Sequence, residues 1–212
     1  MEEECSKIET DKFEFVAYEI ERINMKYAEL EELNTEHLRL RKLRASDVEC
    51  YYNRVGSSEA VTRYMLWQPH KSLLESRESI KKVWARYEEG NAYTWAIALA
   101  EDDSIIGRID LLRFDEKENR CSFAYMLGKE FWGCGFGTES LKAVFAFAFE
   151  KMEIQRIVAD HMSDNIASGK VMQKAGMHYV RKQVSKYEKC GMYYDADEYM
   201  ITIDDWKQLQ DL

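Results

Sequence analysis

One proline, Pro69, stands among 212 residues, and the five cysteines form no CxxC pair. Cys5, Cys50, Cys121, Cys134 and Cys190 are odd in number and widely spaced. That predicts reduced thiols in a cytoplasmic protein and excludes a disulfide framework or a zinc site. The four histidines, His37, His70, His161 and His178, show no ligand spacing, so no metal is expected. No apolar run approaches the roughly 20 residues that span a bilayer, so no membrane partner is expected. Met1-Glu2-Glu3-Glu4 is the reverse of a signal peptide's basic start. A basic stripe is missing too, which excludes a nucleic-acid surface. There is no internal repeat, low-complexity segment or flexible linker.

What is present is the balance of a globular domain able to bury a full core, 46% hydrophobic and 33% charged. The net charge of −9 is uneven: residues 1–33 hold eleven acids and four bases, and the rest is nearly neutral. The acidity belongs to an N-terminal arm. The chain therefore divides into an acidic helical extension, 1–34, and a folded domain, 35–212. In the arm Phe13, Val16, Ile20, Ile23, Tyr27 and Leu30 recur every three or four residues, a heptad seam on one long helix over about 8–33. Such a helix docks on its own domain or joins a partner, a homodimer included.

Residues 37–43 alternate as a first strand. Ser46-Asp47-Val48-Glu49 reads as a capping box that starts a helix at Asp47, ending near Gly56. A second box, Ser72-Leu73-Leu74-Glu75, opens a helix with Leu74, Ile80, Val83, Trp84 and Tyr87 turned inward and Gly90 as its stop. Residues 93–100, 105–114 and 121–127 then read as an antiparallel meander. A helix over 138–151 separates the third of these from a strand over 155–161, so the two are expected to run parallel through a right-handed crossover. A helix over 165–175, strands at about 177–187 and 192–203, and a short amphipathic helix complete the chain.

Between meander and crossover lies Phe131-Trp132-Gly133-Cys134-Gly135-Phe136-Gly137-Thr138-Glu139-Ser140, with three glycines at alternate positions. Glycines let a backbone turn tightly and approach a ligand closely. A helix starting directly afterwards points its unpaired N–H groups and the positive end of its dipole into the loop. Together these form a site for a phosphate or pyrophosphate.

The order of elements resembles the GNAT acyltransferase fold. That fold is mixed α/β, with a mostly antiparallel sheet of about seven strands, one parallel splayed pair, and helices on both faces. The motifs agree. The family signature Gln/Arg-x-x-Gly-x-Gly/Ala is matched by Trp132-Gly133-Cys134-Gly135-Phe136-Gly137, with Trp132 in the Gln/Arg place. That tryptophan is typical of the Rim-type ribosomal-protein N-terminal acetyltransferases. Tyr125-Met126-Leu127-Gly128 matches this branch's Tyr-x-Leu-Gly. Asn165, Ser168, Val171 and Gly176 match Asn-x-x-Ser-x-x-Val-x-x-x-x-Gly-Phe, with Met177 for the phenylalanine. Gly191, Tyr193 and Asp195 match Asn-Gly-x-Tyr-x-Asp, with Cys190 for the asparagine.

The resemblance spans residues 35–205 and implies acetyl-CoA as co-substrate, with no metal. The loop, Trp132, Gly133, Cys134, Gly135, Phe136, Gly137 and Thr138, would hold the pyrophosphate through backbone N–H groups. Met126 and Leu127 would pair with the pantetheine arm as with an added strand. Asn165 would bond a pantetheine amide or cap the following helix, and Ser168 would stand near the thioester sulfur.

Direct acetyl transfer in a ternary complex needs an amine without its extra proton, a donor for the oxyanion, and a proton for the leaving thiolate. A backbone N–H at residues 125–127 suits the oxyanion, and Ser168 and Tyr187 carry hydroxyls for the thiolate. The family's strand glutamate, in Ala-Glu-Ile-Gly-Tyr, is replaced in Cys121-Ser122-Phe123-Ala124-Tyr125. The place of a second family glutamate, on the penultimate strand, holds Tyr187. Asp110, on the strand beside Ser122, is left as a candidate base, and Glu188 becomes one after a one-residue shift that flips its face.

A weak base suffices for an α-amine, since on the order of a tenth of it is neutral at pH 7, against about 0.04% of a lysine amine. The Rim-type resemblance implies acetylation of a protein N-terminal α-amine, ribosomal-protein type, and this pKa difference favours it. The alternatives are a small-amine acetyltransferase (polyamine, aminoglycoside or amino acid) and a catalytically silent acyl-CoA-binding module.

Overall fold

The structure, a computed structural model, describes residues 28–90 and 92–211. Its strands are β1 (Leu33–Asn34), β2 (Leu38–Arg41), β3 (Tyr93–Leu99), β4 (Ile105–Asp115), β5 (Arg120–Leu127), β6 (Arg156–Met162), β7 (His178–Lys189) and β8 (Met192–Thr202). Its α-helices are α1 (Val48–Tyr51), α2 (Glu59–Thr62), α3 (Leu73–Glu88), α4 (Phe136–Ala146), α5 (Ile166–Lys174) and α6 (Ile203–Gln210). The eight strands form one sheet in the order β1-β2-β3-β4-β5-β6-β8-β7.

Strand β3 shows how this sequence builds a sheet covered on both sides. Successive side chains point to opposite faces, so Tyr93, Trp95 and Ile97 share one face and Thr94, Ala96 and Ala98 the other. The large face joins Leu38, Leu40, Ile109, Leu111 and Phe123 in the main core, under Leu141, Val144 and Phe145 of α4. The small face lets α1 and α3 lie close, where Val48, Tyr51, Ile80 and Val83 meet Ala96 and Met126. Each such buried side chain contributes about 1.5–3 kcal/mol.

The meander β3-β4-β5 is antiparallel and β5 runs parallel to β6, as the sequence predicts. The parallel pairing holds only at Arg120↔Arg156 and Cys121↔Ile157. Beyond those rungs the strands part, leaving a cleft between residues 122–127 and 158–162.

Four expectations need correction. Residues 28–32 are not helical and 33–34 form β1, because the Tyr93 hydroxyl and the Trp95 indole N–H donate to the Ala28 and Glu31 carbonyls, both at 2.8 Å. Leu30 thus packs on the domain core. The other seam positions, 13–27, lie outside the described residues, and the homodimer expectation with them. The helix expected from Asp47 begins instead with a 3-10 turn, Ala45–Asp47, and passes into a π turn, Tyr52–Gly56. There the Asp47 carboxylate caps by accepting the Arg44 N–H at 2.7 Å, while also pairing with Arg41 at 2.8 Å. In α3 Ser72 does accept the Glu75 N–H, yet Leu74 is 64% exposed. Counting the helical period back from Ile80 puts the inward seam at Ser76 and Leu73, one residue off. The sheet has one strand more than the seven expected, β1 being the addition.

No described helix is long and apolar enough to cross a membrane.

Candidate active site

The glycine loop ends where α4 begins, at Phe136. Gly133 and Gly135 adopt φ of +80° and +91°, the left-handed region that costs other residues about 1–2 kcal/mol. A Cβ at either would meet nothing within 4 Å, so the space above them is open. Among the described residues no backbone carbonyl accepts the N–H groups of 133–138. Donors at a helix start beside open space fit an anion. Trp132 has a structural part here: its indole N–H donates to the Leu127 carbonyl at 2.8 Å and ties the loop to the end of β5.

Glu139, in the first turn of α4, ties the loop to the β1-β2 hairpin. It accepts from the Thr35 hydroxyl at 2.6 Å and from the His37 N–H at 2.9 Å, and lies 3.1 Å from His37 Nδ1. Partial burial alone raises its pKa, but the hydrogen bonds from Thr35 and His37 outweigh this and hold it below the ordinary 4.5. A lowered carboxyl pKa stabilises the fold fully above 4.5, and that contribution disappears as pH falls through the lowered value. Glu139→Gln is therefore expected to lower the melting midpoint at pH 7 by about 2–4 °C, roughly 1 kcal/mol after allowance for solvent contact. Paired melts should show the gap closing in acid.

Along β5 the ladder decides which backbone groups reach the cleft. Gly128 N–H donates to the Ile106 carbonyl at 2.8 Å, and Arg108 lies opposite Met126. Alternation then turns Met126 N–H and C=O toward β4 and those of Tyr125 and Leu127 toward the cleft. The cleft-side backbone groups are thus those of Tyr125 and Leu127, the Leu127 carbonyl already accepting from Trp132, whereas the backbone of Met126, expected to meet a ligand, is engaged with β4. Its side chain instead lies on the α1 face and receives the Tyr51 hydroxyl. Asn165 caps α5, its carbonyl oxygen accepting the Ser168 N–H at 3.4 Å. Ser168 is buried nearby, and burial raises the Tyr125 pKa while the Ser168 hydroxyl moderates it.

Asp110 is buried on the α1/α3 face. It accepts from Thr94 Oγ1 at 2.6 Å, Arg108 Nε at 3.0 Å and Arg108 Nη2 at 2.9 Å. Burial pulls the Arg108 pKa down, but Asp110 more than offsets it, so the guanidinium stays charged. This pair secures the wall behind the cleft, which is poor employment for a base.

On the other side of the cleft β6 turns Ile157, Ala159 and His161 toward α5 and the core, and Val158, Asp160 and Met162 toward the α1/α3 face. Tyr187 donates its hydroxyl proton to Asp160 Oδ1, and Lys186 Nζ lies 2.5 Å from Oδ2. Adjacent strand residues ordinarily face opposite ways, but here β7 is bulged. Gln183 pairs with Ala196 and Tyr187 with Tyr194, so β7 spends four residues where β8 spends two. Ser185 sits at φ +51°, its N–H donated to Asp195 at 2.9 Å. The bulge re-aims both side chains at one carboxylate. Glu188 is exposed on the opposite face. The sequence reading missed Asp160, although an acid on the non-core face of the strand lining the parallel split was the available signal.

The tip of the β7-β8 hairpin reaches back to the α2 region. Lys189 Nζ donates to the Thr62 and Arg63 carbonyls at 2.8 and 3.1 Å, and Gln68 meets Cys190. Among the described residues no group of three or more His, Cys, Asp or Glu could hold a metal ion.

Residues 37–178 match the model of the acetyltransferase (GNAT) domain. The chain belongs to the GNAT acetyltransferase family. As a GNAT N-acetyltransferase it is 32% identical over 155 residues to the uncharacterized N-acetyltransferase p20 of Bacillus licheniformis, covering 70% of this chain and 85% of that one. A solved RimL, a ribosomal L7/L12 alpha-N-protein acetyltransferase in complex with coenzyme A, is 22% identical at a TM-score of 0.73, covering 82% of this chain and 99% of its own. A spermidine N-acetyltransferase from Vibrio cholerae, in complex with coenzyme A and spermine, is 17% identical at a TM-score of 0.70, with the same coverage. These two likenesses are of fold. GNAT enzymes draw their acetyl group from acetyl-CoA, and the open N–H groups of the glycine loop fit its diphosphate.

Proposed function

We propose that this GNAT enzyme acetylates the α-amine of a protein or peptide N-terminus in the cytoplasm. The observation that carries this choice is the state of the acidic side chains near the cleft. A polyamine needs carboxylates free to attract it, yet Asp110 pairs with Arg108, Asp160 with Lys186, Glu198 with Arg181, and Asp195 with Lys182. Arg181 and Lys182 are exposed, but the pairing of Asp110 with buried Arg108 and of Asp160 with partly buried Lys186 leaves the cleft little field for a multiply charged small amine. A single amine on an extended chain asks for less.

In this reading the N–H groups of residues 133–138 hold the diphosphate of acetyl-CoA, which supplies the activated acetyl. The Tyr125 backbone and the Leu127 N–H hydrogen-bond the pantetheine arm along the edge of β5, with Asn165 beside it, and a cleft-facing N–H of β5 donates to the oxyanion. Tyr187 gives the departing sulfur its proton, with Ser168 a second hydroxyl on the α5 side.

The test is release of coenzyme A thiol across a panel: a peptide with a free N-terminus, the same peptide blocked there but carrying lysine, spermidine and an aminoglycoside. Turnover is expected on the first. Preference for spermidine overturns the acceptor, and tight coenzyme binding without turnover on any amine indicates a silent module.

A further inference from the structure

We infer that Asp160 is the general base of this enzyme, and that the Tyr187–Asp160 hydrogen bond recycles the proton it takes. The inference rests on the acetyl-transfer reading above and assigns the one role that reading leaves open.

Position comes first. The last rung between β5 and β6 is Cys121↔Ile157, and three residues beyond it stand Ala124 on one strand and Asp160 on the other. Asp160 therefore faces the opening, across from a strand whose residues on this face, Ser122 and Ala124, carry no acid. Chemistry comes second. The Asp160 side chain is 7% exposed, and such a buried acid stays ionised only with a partner. Lys186 supplies the cation at one oxygen and Tyr187 the O–H at the other. A carboxylate has about four lone-pair sites, so two remain. Asp110 differs because a fully buried arginine, which never gives up its proton, clamps both of its oxygens. The backbone is built for this pairing. A bulge with one residue at positive φ is needed to bring Lys186 and Tyr187 to the same carboxylate, and bulges serve to re-aim side chains.

The protons balance. The acceptor ammonium gives one proton to Asp160, and its nitrogen attacks the thioester carbonyl. The C–N bond forms and the C–S bond breaks. Tyr187 protonates the leaving sulfur and recovers a proton from Asp160 through their hydrogen bond. The second N–H proton leaves the new amide for solvent. Amine cation and thioester become amide, thiol and one proton, and both side chains are restored.

The experiment compares wild type with Asp160→Asn on the free α-amine peptide from pH 7 to 9.5. Coenzyme A binding, followed by tryptophan fluorescence, and the melting midpoint are measured alongside. The groups facing Asp160 are Lys186 and Tyr187 on β7 and, opposite in register, Glu198 on β8 with its Arg181. None of these is altered. Expected is a loss of about 100- to 1,000-fold in kcat/KM at pH 7 with unchanged coenzyme affinity. That deficit should shrink by up to about tenfold by pH 9.5, as the neutral fraction of the amine rises from about a tenth to nearly all of it. A variant within threefold of wild type, or a deficit constant with pH, overturns the assignment. Should Asp160→Asn not fold, Asp160→Glu replaces it, and failure of that variant to outperform Asp160→Ala on kcat overturns the assignment equally. Absence of turnover by wild type on every amine overturns this inference together with the acetyl-transfer reading, whereas an active wild type with an equally active variant overturns this inference alone.

Discussion

Replacing Gly135 by valine is expected to weaken coenzyme A binding at least about 100-fold while lowering the melting midpoint by no more than about 8 °C. The two effects separate because of what surrounds the glycine. A β-branched residue at φ +91° costs about 1–2 kcal/mol, which at this chain length is a shift of roughly 2–8 °C. The added Cβ collides with nothing in the protein, having no neighbour within 4 Å. It does fill the space over the N–H groups that open α4. A loss of 100-fold is about 2.7 kcal/mol, less than the sum of a few charge-assisted hydrogen bonds. Calorimetric titration of both proteins with coenzyme A reads the outcome. Equal affinity in a folded variant would move the diphosphate elsewhere.

The opposite pattern is expected at Asp110. Asp110→Asn leaves the Arg108 guanidinium, 2% exposed, charged and without its counter-ion. Breaking a buried pair from one side costs about 3–5 kcal/mol, a fall of about 6–20 °C in the melting midpoint. Replacing both partners together, Arg108→Met with Asp110→Leu, should restore most of the loss, because a buried ion pair is worth little more than the apolar contact that takes its volume. Below its melting midpoint the single variant should keep its pH profile. A variant of normal stability that has lost activity would instead make Asp110 the base and withdraw that role from Asp160.

Most of the fold could be read from the sequence because its signals are local. The alternation in β3 to β5, the stop at Gly176 and the glycine loop each depend on neighbours a few residues away. The order of elements carried the parallel pair, since a helix between two strands forces a crossover. What could not be read depends on distant partners. Residues 28–32 continue a helical pattern, yet Tyr93 and Trp95 hold them out of a helix from more than 60 residues away. Leu74 and Leu73 differ by one residue, and only the packing of Ile80 chooses between them. In the site, Tyr187 was visible as a hydroxyl in a family position, whereas Asp160 looked like any surface acid on a strand. Its importance lies in the bulge at 184–186, which no local pattern announces because Ser185 at φ +51° is held by Asp195 across the hairpin.

One measurement reads the acceptor directly. A peptide bearing both a free N-terminus and an internal lysine is incubated with the enzyme, labelled acetyl-CoA and an equal concentration of spermidine, and the label is located by mass spectrometry. Acetyl is expected on the α-nitrogen of the peptide. Label on the lysine side chain or on spermidine, with the α-nitrogen bare, would contradict it.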